Sequence, residues 1–299
     1  CLEQMWDFEG KEVDNFVVKK LLTKNQDFFQ KKNLGQDLFL TFRVPNPEVE
    51  RAEAKILLET LESIPRSYDA ARLFYGRDVA PVFEVILPLT SSAVALNRIY
   101  YYYHEIVVGK QHQVLKNDTA PLRDWIGEFL PKTINVIPLF EDKRQMLSAA
   151  DVVREYLKDK SVPYQRVFLA RSDPAVNYGQ IGAVLLNKIA LQRLYRLGQE
   201  IGVPIYPILG VGSAPFRGNM RPQTVAGVLA GYPSVHTYTI QSSFKFDHHP
   251  EDARRAIQTI NETPTLPPLE VDERRAEALI EKYEASYRAA VRKLAPTIN

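Results

Sequence analysis

Phe168-Leu169-Ala170-Arg171-Ser172-Asp173 is an apolar, strand-like run that ends on charge, and Leu40-Thr41-Phe42-Arg43 and Ile137-Pro138-Leu139-Phe140-Glu141 repeat its form. In a barrel of parallel strands the residues just past the strand ends converge on one rim. Carboxylates and guanidiniums far apart in sequence then meet around one metal and one anion. The repetition points to an enzyme.

Strands are expected at Asp37–Arg43, Val82–Leu87, Ile134–Leu139, Arg166–Ala170, Ile205–Leu209 and Val235–Gln241, runs rich in β-branched and aromatic residues and bounded by Pro, Gly or Asp. Their near-continuous apolar character fits parallel strands covered by helices on both faces. Between them lie amphipathic helix patterns at Lys11–Lys32, Glu48–Ile64, Ser91–Val108, Lys143–Lys160, Tyr178–Ile201, Thr224–Ala230 and Glu251–Asn261. In the second of these Ala52, Ile56, Leu57, Leu61 and Ile64 recur at three- and four-residue steps, leaving Glu50, Arg51, Glu53 and Lys55 for solvent.

Strand–helix units spaced roughly 30 to 50 residues apart suit a (β/α)8 barrel or a doubly wound open sheet. The second should carry a Gly-rich phosphate turn after its first strand, and neither G-x-G-x-x-G nor G-x-x-x-x-G-K-[ST] occurs. The expected fold is therefore an α/β (β/α)8 TIM-type barrel with extra helices, one catalytic domain over 1–299. Six clear strands are two short of closure. The chain begins at Cys1 rather than Met and ends just after a helical stretch, so it is expected to be a fragment, incomplete at both ends. One missing strand should precede or include Cys1–Met5 and the other follow Asn299. Residues 263–299 read as a stiff Pro-rich connector, Thr263–Pro268, followed by a long charged helix over Val271–Leu294.

Composition narrows the classes. The 299 residues are 45% hydrophobic and 25% charged, an ordinary globular balance. Lys and Arg total 38 against 36 Asp and Glu, a formal net charge of +2, which argues against nucleic acid as a partner. The single Cys1 excludes an intrachain disulfide framework, and the scattered histidines leave no thiolate zinc site. With no apolar stretch near membrane-spanning length and no secretion signal at the start, no membrane partner and a cytoplasmic location are expected.

Glu141 and Asp173 each emerge where a strand gives way to a loop. Two such oxygen donors, completed by waters and a substrate oxygen, are what Mg²⁺ or Mn²⁺ usually receives from a protein. The plainer alternative is that each caps the helix that follows. Arg43, between two turn-fixing prolines, can hold a phosphate or carboxylate at two points, or make a structural ion pair. Gly210–Met220 reads equally as an anion loop, whose glycines admit backbone amides and whose Arg217 adds charge, or as an ordinary Gly/Pro-rich βα connection. Gln241, Ser242 and Lys245 fall near the same rim. His248 and His249 lack an i,i+4 partner and read as a solvated helix start.

Together these segments resemble the archaeal-type phosphoenolpyruvate carboxylases, metal-dependent barrel enzymes, over nearly the whole chain. The most specific parts are Met5–Asp14, Leu58–Ser67, Phe83–Pro88, Arg171–Gly179 and Thr239–Phe244. The resemblance implies that Glu141 and Asp173 hold the metal and that Arg43 and Arg217 hold phosphate or bicarbonate. It makes Arg171 a further catalytic candidate and Gln241 to Lys245 substrate-facing, with Lys245 standing where Arg is commoner in the family. It places the family's catalytic histidine, in a Gln-His-Pro-Asp-Asn type motif, before Cys1. The implied reaction is carboxylation of phosphoenolpyruvate by bicarbonate to oxaloacetate and phosphate, with Mg²⁺ or Mn²⁺, in a protein that is a homo-oligomer (tetramer) when full length. Another metal-dependent barrel enzyme forming a pyruvate enolate, an aldolase or lyase, is the alternative within enzymes. A ligand-binding module without turnover is the alternative for the fragment itself.

Overall fold

Each apolar run bounded by Pro, Gly or Asp becomes a short strand. The computed structural model describes residues 1–8 and 14–298. Its strands are β1 (Glu3–Asp7), β2 (Phe39–Arg43), β3 (Glu84–Leu87), β4 (Asn135–Phe140), β5 (Gln165–Ala170), β6 (Ile205–Gly210) and β7 (Thr237–Tyr238). They follow one another across the sheet in sequence order. Register runs parallel from Glu3↔Phe39 to Asp7↔Arg43, then Phe42↔Val85, Leu139↔Phe168, Gln165↔Ile205 to Ala170↔Gly210, and Ile208↔Thr237. This is the strand order of a (β/α)8 barrel, with seven strands among the described residues. All six expected strands form, and β1 lies across the segment where a seventh was sought. β7 is the shortest, only Thr237–Tyr238 of the expected Val235–Gln241.

The chain divides into two compact units, Cys1–Ile137 and Pro138–Asn299, with β4 crossing the division. In the first unit the helices are α1 (Val17–Lys24), α2 (Gln26–Lys31), α3 (Ala54–Tyr75), α4 (Ala93–Tyr101) and α5 (Leu122–Ile126). Of the helix expected over Lys11–Lys32, residues 11–13 lie outside the described set; among the described residues it starts at Val17 and breaks at Asn25, whose φ of −133° and ψ of 47° are not helical. The one expected over Glu48–Ile64 starts later, leaving Ala52 exposed in a 3₁₀ turn, and runs on through Pro65 to Gly76. A proline inside a helix removes one amide and crowds the carbonyl four residues back. Here the buried stripe Leu57, Leu61, Ile64, Tyr68 and Ala71 continues in step across it. The hydroxyls of Thr60, Ser63 and Ser67 donate to the carbonyls of Ile56, Thr60 and Ser63. Packing therefore overrides the proline as a stop, and Gly76, at φ 65°, ends the helix instead. Beyond α4 the chain widens into a π-helical turn, Tyr102–Val108, in which Tyr103 is fully buried and donates to the Pro131 carbonyl at 2.8 Å.

The second unit holds α6 (Lys143–Leu147), α7 (Ala149–Leu157), α8 (Ser172–Ile201), α9 (Val225–Gly231), α10 (Ser242–Phe246), α11 (Pro250–Glu262) and α12 (Glu273–Ile298). Every residue of β5 is buried, as a parallel strand covered on both faces requires. Against it α8 places Leu186, Ile189, Ala190, Leu194 and Leu197, all fully buried. Each of the larger aliphatics there contributes about 1.5 to 3 kcal/mol by leaving water. Residues 263–272 carry no helix or strand, and α12 then packs along α8 through Ala276 and Ile280.

Candidate active site

β4 and β5 end side by side. Phe140 pairs with Leu169, so Glu141 follows one residue, and Asp173 four residues, beyond the last matched pair. Neighbouring strands lie about 4.8 Å apart, so both carboxylates belong to adjacent exits of one sheet edge. The cap of α6 is Asp142, whose Oδ1 accepts the Gln145 amide at 2.8 Å. Glu141 is thereby relieved of the capping role that was its plainer reading. It is half-buried, and its own amide donates to Gln145 Oε1 at 3.2 Å.

Asp173 stands exposed in the first turn of α8, and the N-cap position is Arg171, which makes no capping bond with its side chain. A carboxylate there is favoured by the orphan amides and the dipole of the helix start. The helix begins six residues before the expected Tyr178 because Gly179 breaks it, at φ 80° and ψ 163°, into a short leading segment and a long body. A tie joins the two carboxylate-bearing segments: the Lys143 amide donates to the Tyr178 hydroxyl at 3.2 Å.

Cationic groups gather at the same sheet edge. Arg217 Nε donates to Ser172 Oγ at 3.1 Å, which sets its guanidinium beside the residue that precedes Asp173. Arg171 is 2% exposed and its Nη1 donates to the Phe216 carbonyl at 3.1 Å, while its buried Nε has no partner among the described residues. Three further buried atoms in the loop after β6 also lack partners: Ser213 Oγ, Asn219 Oδ1 and Arg221 Nε. Unpartnered buried polar atoms are rare in folded proteins, and each calls for a bound water, ion or ligand, or a functional role, to account for it. Ser213, Asn219 and Arg221 escaped the sequence reading, although all three stand in or just beyond the Gly-rich stretch that drew attention to Arg217.

The glycines of that stretch serve a purpose other than the one expected. The amides of Gly212, Arg217, Gly218, Asn219 and Met220 donate within the loop. A Cβ on Gly218, at φ 108°, would lie 2.7 Å from Val211 Cγ1, and one on Gly210 would lie 2.9 Å from Phe168 Cε2. Close packing and a tight turn explain these two glycines, so any anion held by this loop would meet its side chains rather than these amides. Gln241 packs its amide oxygen against Gly212, and Lys245 is exposed on α10. Among the described residues no hydrogen bond links either of them to the carboxylates. His249 begins α11 as expected, its Nδ1 accepting the Glu251 amide.

Arg43, in the first unit, makes the structural ion pair that was its alternative reading. Its Nε and Nη2 meet the two oxygens of Asp7 at 3.0 and 2.5 Å, both side chains about one-fifth exposed.

Among the described residues no group of three or more His, Cys, Asp or Glu side chains could hold a metal ion. A cation at this edge would have two protein carboxylates and take its remaining ligands from water and substrate. That hard, oxygen-only set suits Mg²⁺ or Mn²⁺.

A parallel β/α sheet in barrel strand order, with acidic and guanidinium groups at the exits of β4 and β5, defines a barrel-type α/β protein with a candidate site at that edge. Residues 1–299 match the family model described as phosphoenolpyruvate carboxylase, and the chain belongs to that family. It is 58% identical to the phosphoenolpyruvate carboxylase of Methanospirillum hungatei JF-1 over 299 residues, covering 100% of this chain and 62% of that protein. It is also 58% identical to that of Methanothermobacter thermautotrophicus, at the same coverage. The corresponding Pyrococcus abyssi protein is 53% identical over 298 residues, covering 99% of this chain and 62% of that one. The chain thus spans 62% of the length of these relatives. Among the described residues no helix is long and apolar enough to cross a membrane.

Proposed function

We propose that the chain carries the metal- and phosphate-binding part of a phosphoenolpyruvate carboxylase, converting phosphoenolpyruvate and bicarbonate into oxaloacetate and phosphate. The observation that carries the reading is the bond from Arg217 to Ser172, because it sets a phosphate-holding cation beside the exposed carboxylate of Asp173, which has no partner among the described residues. Family membership over the whole chain supports it.

In the proposed reaction bicarbonate oxygen attacks the phosphorus of phosphoenolpyruvate. The bridging P–O bond breaks, leaving carboxyphosphate and the enolate of pyruvate. Arg217, aided by Arg171 beneath the loop, would neutralise the migrating phosphoryl group. Arg43, which the resemblance also assigns to anion holding, is presented rigidly by its two-point bond to Asp7. A Mg²⁺ or Mn²⁺ ion held by Glu141 and Asp173 would supply Lewis-acid stabilisation of enolate charge. Carboxyphosphate then releases CO₂ and phosphate, and the enolate carbon captures CO₂. The site must exclude water at that moment, since a protonated enolate leaves as pyruvate. Gln241 and Lys245 would line the substrate side, Lys245 as a point charge. A homo-oligomer (tetramer) for the intact protein rests on the resemblance, and a cytoplasmic location on the cysteine usage read from the sequence.

The test is product analysis on the intact protein with phosphoenolpyruvate, bicarbonate and Mg²⁺. Oxaloacetate and phosphate should appear in equal amounts, and both should cease without bicarbonate. Glu141→Gln and Asp173→Asn should each lower turnover by about 10² to 10³. Carbon–carbon cleavage or aldol products that need no bicarbonate would overturn the assignment in favour of an aldolase or lyase.

A further inference from the structure

The leading segment of α8, Ser172–Tyr178, cannot take its orientation from the long body of the helix. Gly179 interrupts the helix with a backbone conformation open essentially to glycine alone, so rigidity does not pass through it. In an unbroken helix the Val176 carbonyl would accept the amide of residue 180. Here the hydroxyl of Tyr287, on α12, donates to that carbonyl at 2.8 Å. The Tyr287 ring covers the break itself, with its Cγ 3.1 Å from where a Cβ on Gly179 would stand.

The same turn of α12 reaches the other carboxylate-bearing segment. Glu284, its side chain only 13% exposed, binds Lys143 Nζ at 2.5 Å, two residues after Glu141, and also takes Arg288 Nη2 at 2.9 Å. Both cations lie over the Tyr178 ring, Lys143 Nζ 5.5 Å and Arg288 Cζ 5.9 Å from its centroid. Glu284, Tyr287 and Arg288 sit at i, i+3 and i+4 on one face of the helix. One surface thus grips the exits of both β4 and β5 from behind.

We infer that Glu284, Tyr287 and Arg288 are positioning residues that hold the Glu141 and Asp173 segments at the separation divalent-cation binding requires. The inference rests on the metal reading proposed above. A site with only two protein ligands tolerates little error in their placement, and partners outside the ligand set commonly set affinity.

Mn²⁺ binding to the intact protein, followed by the free-ion electron paramagnetic resonance signal, separates the two ideas. Tyr287→Phe should weaken Mn²⁺ binding by about tenfold. The metal concentration for half-activation should rise in step, while kcat at saturating metal stays near the parent value. Tyr283→Phe, altering an exposed tyrosine on the same helix, should change neither. If Asp173→Asn abolishes binding while Tyr287→Phe and Glu284→Gln bind Mn²⁺ as the parent does, the positioning role is wrong and the metal site stands. If Glu141→Gln and Asp173→Asn also bind as the parent does, the metal site is wrong and the positioning role falls with it. Should Tyr287→Phe fail to fold, Glu284→Gln carries the same expectation of weaker binding and the same refutation if binding is unchanged.

Discussion

Two buried or half-buried arginines, one in each unit, end strand motifs of the same form and meet opposite fates. Arg43 is matched at two points by Asp7 across the β1–β2 pair. Arg171 is more deeply buried, donates to the Phe216 carbonyl, and keeps an Nε without a partner among the described residues. A satisfied guanidinium contributes to the fold, whereas an incompletely satisfied one has been taken out of water for a return that the protein alone does not supply. The contrast leaves the first guanidinium matched within the fold and the second with donor capacity that no described residue uses.

The sharpest way to break this contrast is Arg171→Met. If the buried charge serves a ligand, an apolar side chain of similar length should leave urea stability within about 1 kcal/mol of the parent or raise it. Turnover of the intact protein should nevertheless fall by about 10² or more. A variant several kcal/mol less stable with unchanged turnover would make Arg171 a structural residue like Arg43.

The converse experiment is Asp7→Asn. It preserves shape and removes the charge that Arg43 meets at 2.5 Å. With both side chains about one-fifth exposed, the loss should be about 1 to 2 kcal/mol in urea denaturation, less than for a fully buried pair. Unchanged stability combined with altered substrate binding would show that Asp7 serves chiefly to aim Arg43 at an anion.

The strand order and the site were not equally legible in the chain. β5 could be read because all six of its residues are buried, so its sequence is apolar without alternation. α3 could not be bounded, because Pro65 is a stop signal locally and the buried stripe that overrides it is a tertiary fact. Glu141 and Asp173 stood out by their place after a strand. Assigning the α6 cap to Asp142 instead required coordinates, since both acidic residues stand next to the helix start. Ser213, Asn219 and Arg221 carry no signal of their own. Their significance is that burial leaves them without partners, and no local pattern records a missing bond. Gly179 read as one more helical residue until its backbone showed a break.

The smallest effect sharpens the comparison inside the second unit, where Glu273 is as fully matched as Arg171 is not. Glu273 accepts Gln192 Nε2 at 2.8 Å and Arg193 Nε at 2.9 Å and pairs with Arg196 at 2.9 Å. Burial alone would push its carboxyl up, but these hydrogen bonds and the two guanidinium charges outweigh it and hold the group below its usual value of 4.5. A carboxyl depressed on folding stabilises the protein at pH above its unfolded value and ceases to do so as pH falls through its folded value. Glu273→Gln should therefore cost about 0.5 to 1 kcal/mol near neutrality, the side chain being one-quarter exposed. The deficit should hold constant down to about pH 5 and close below 4.5 in urea titrations across that range. A deficit that persists unchanged into acid would mean that α12 is anchored there by shape and neutral hydrogen bonds. The start of the helix that grips the carboxylate segments would then owe nothing to charge.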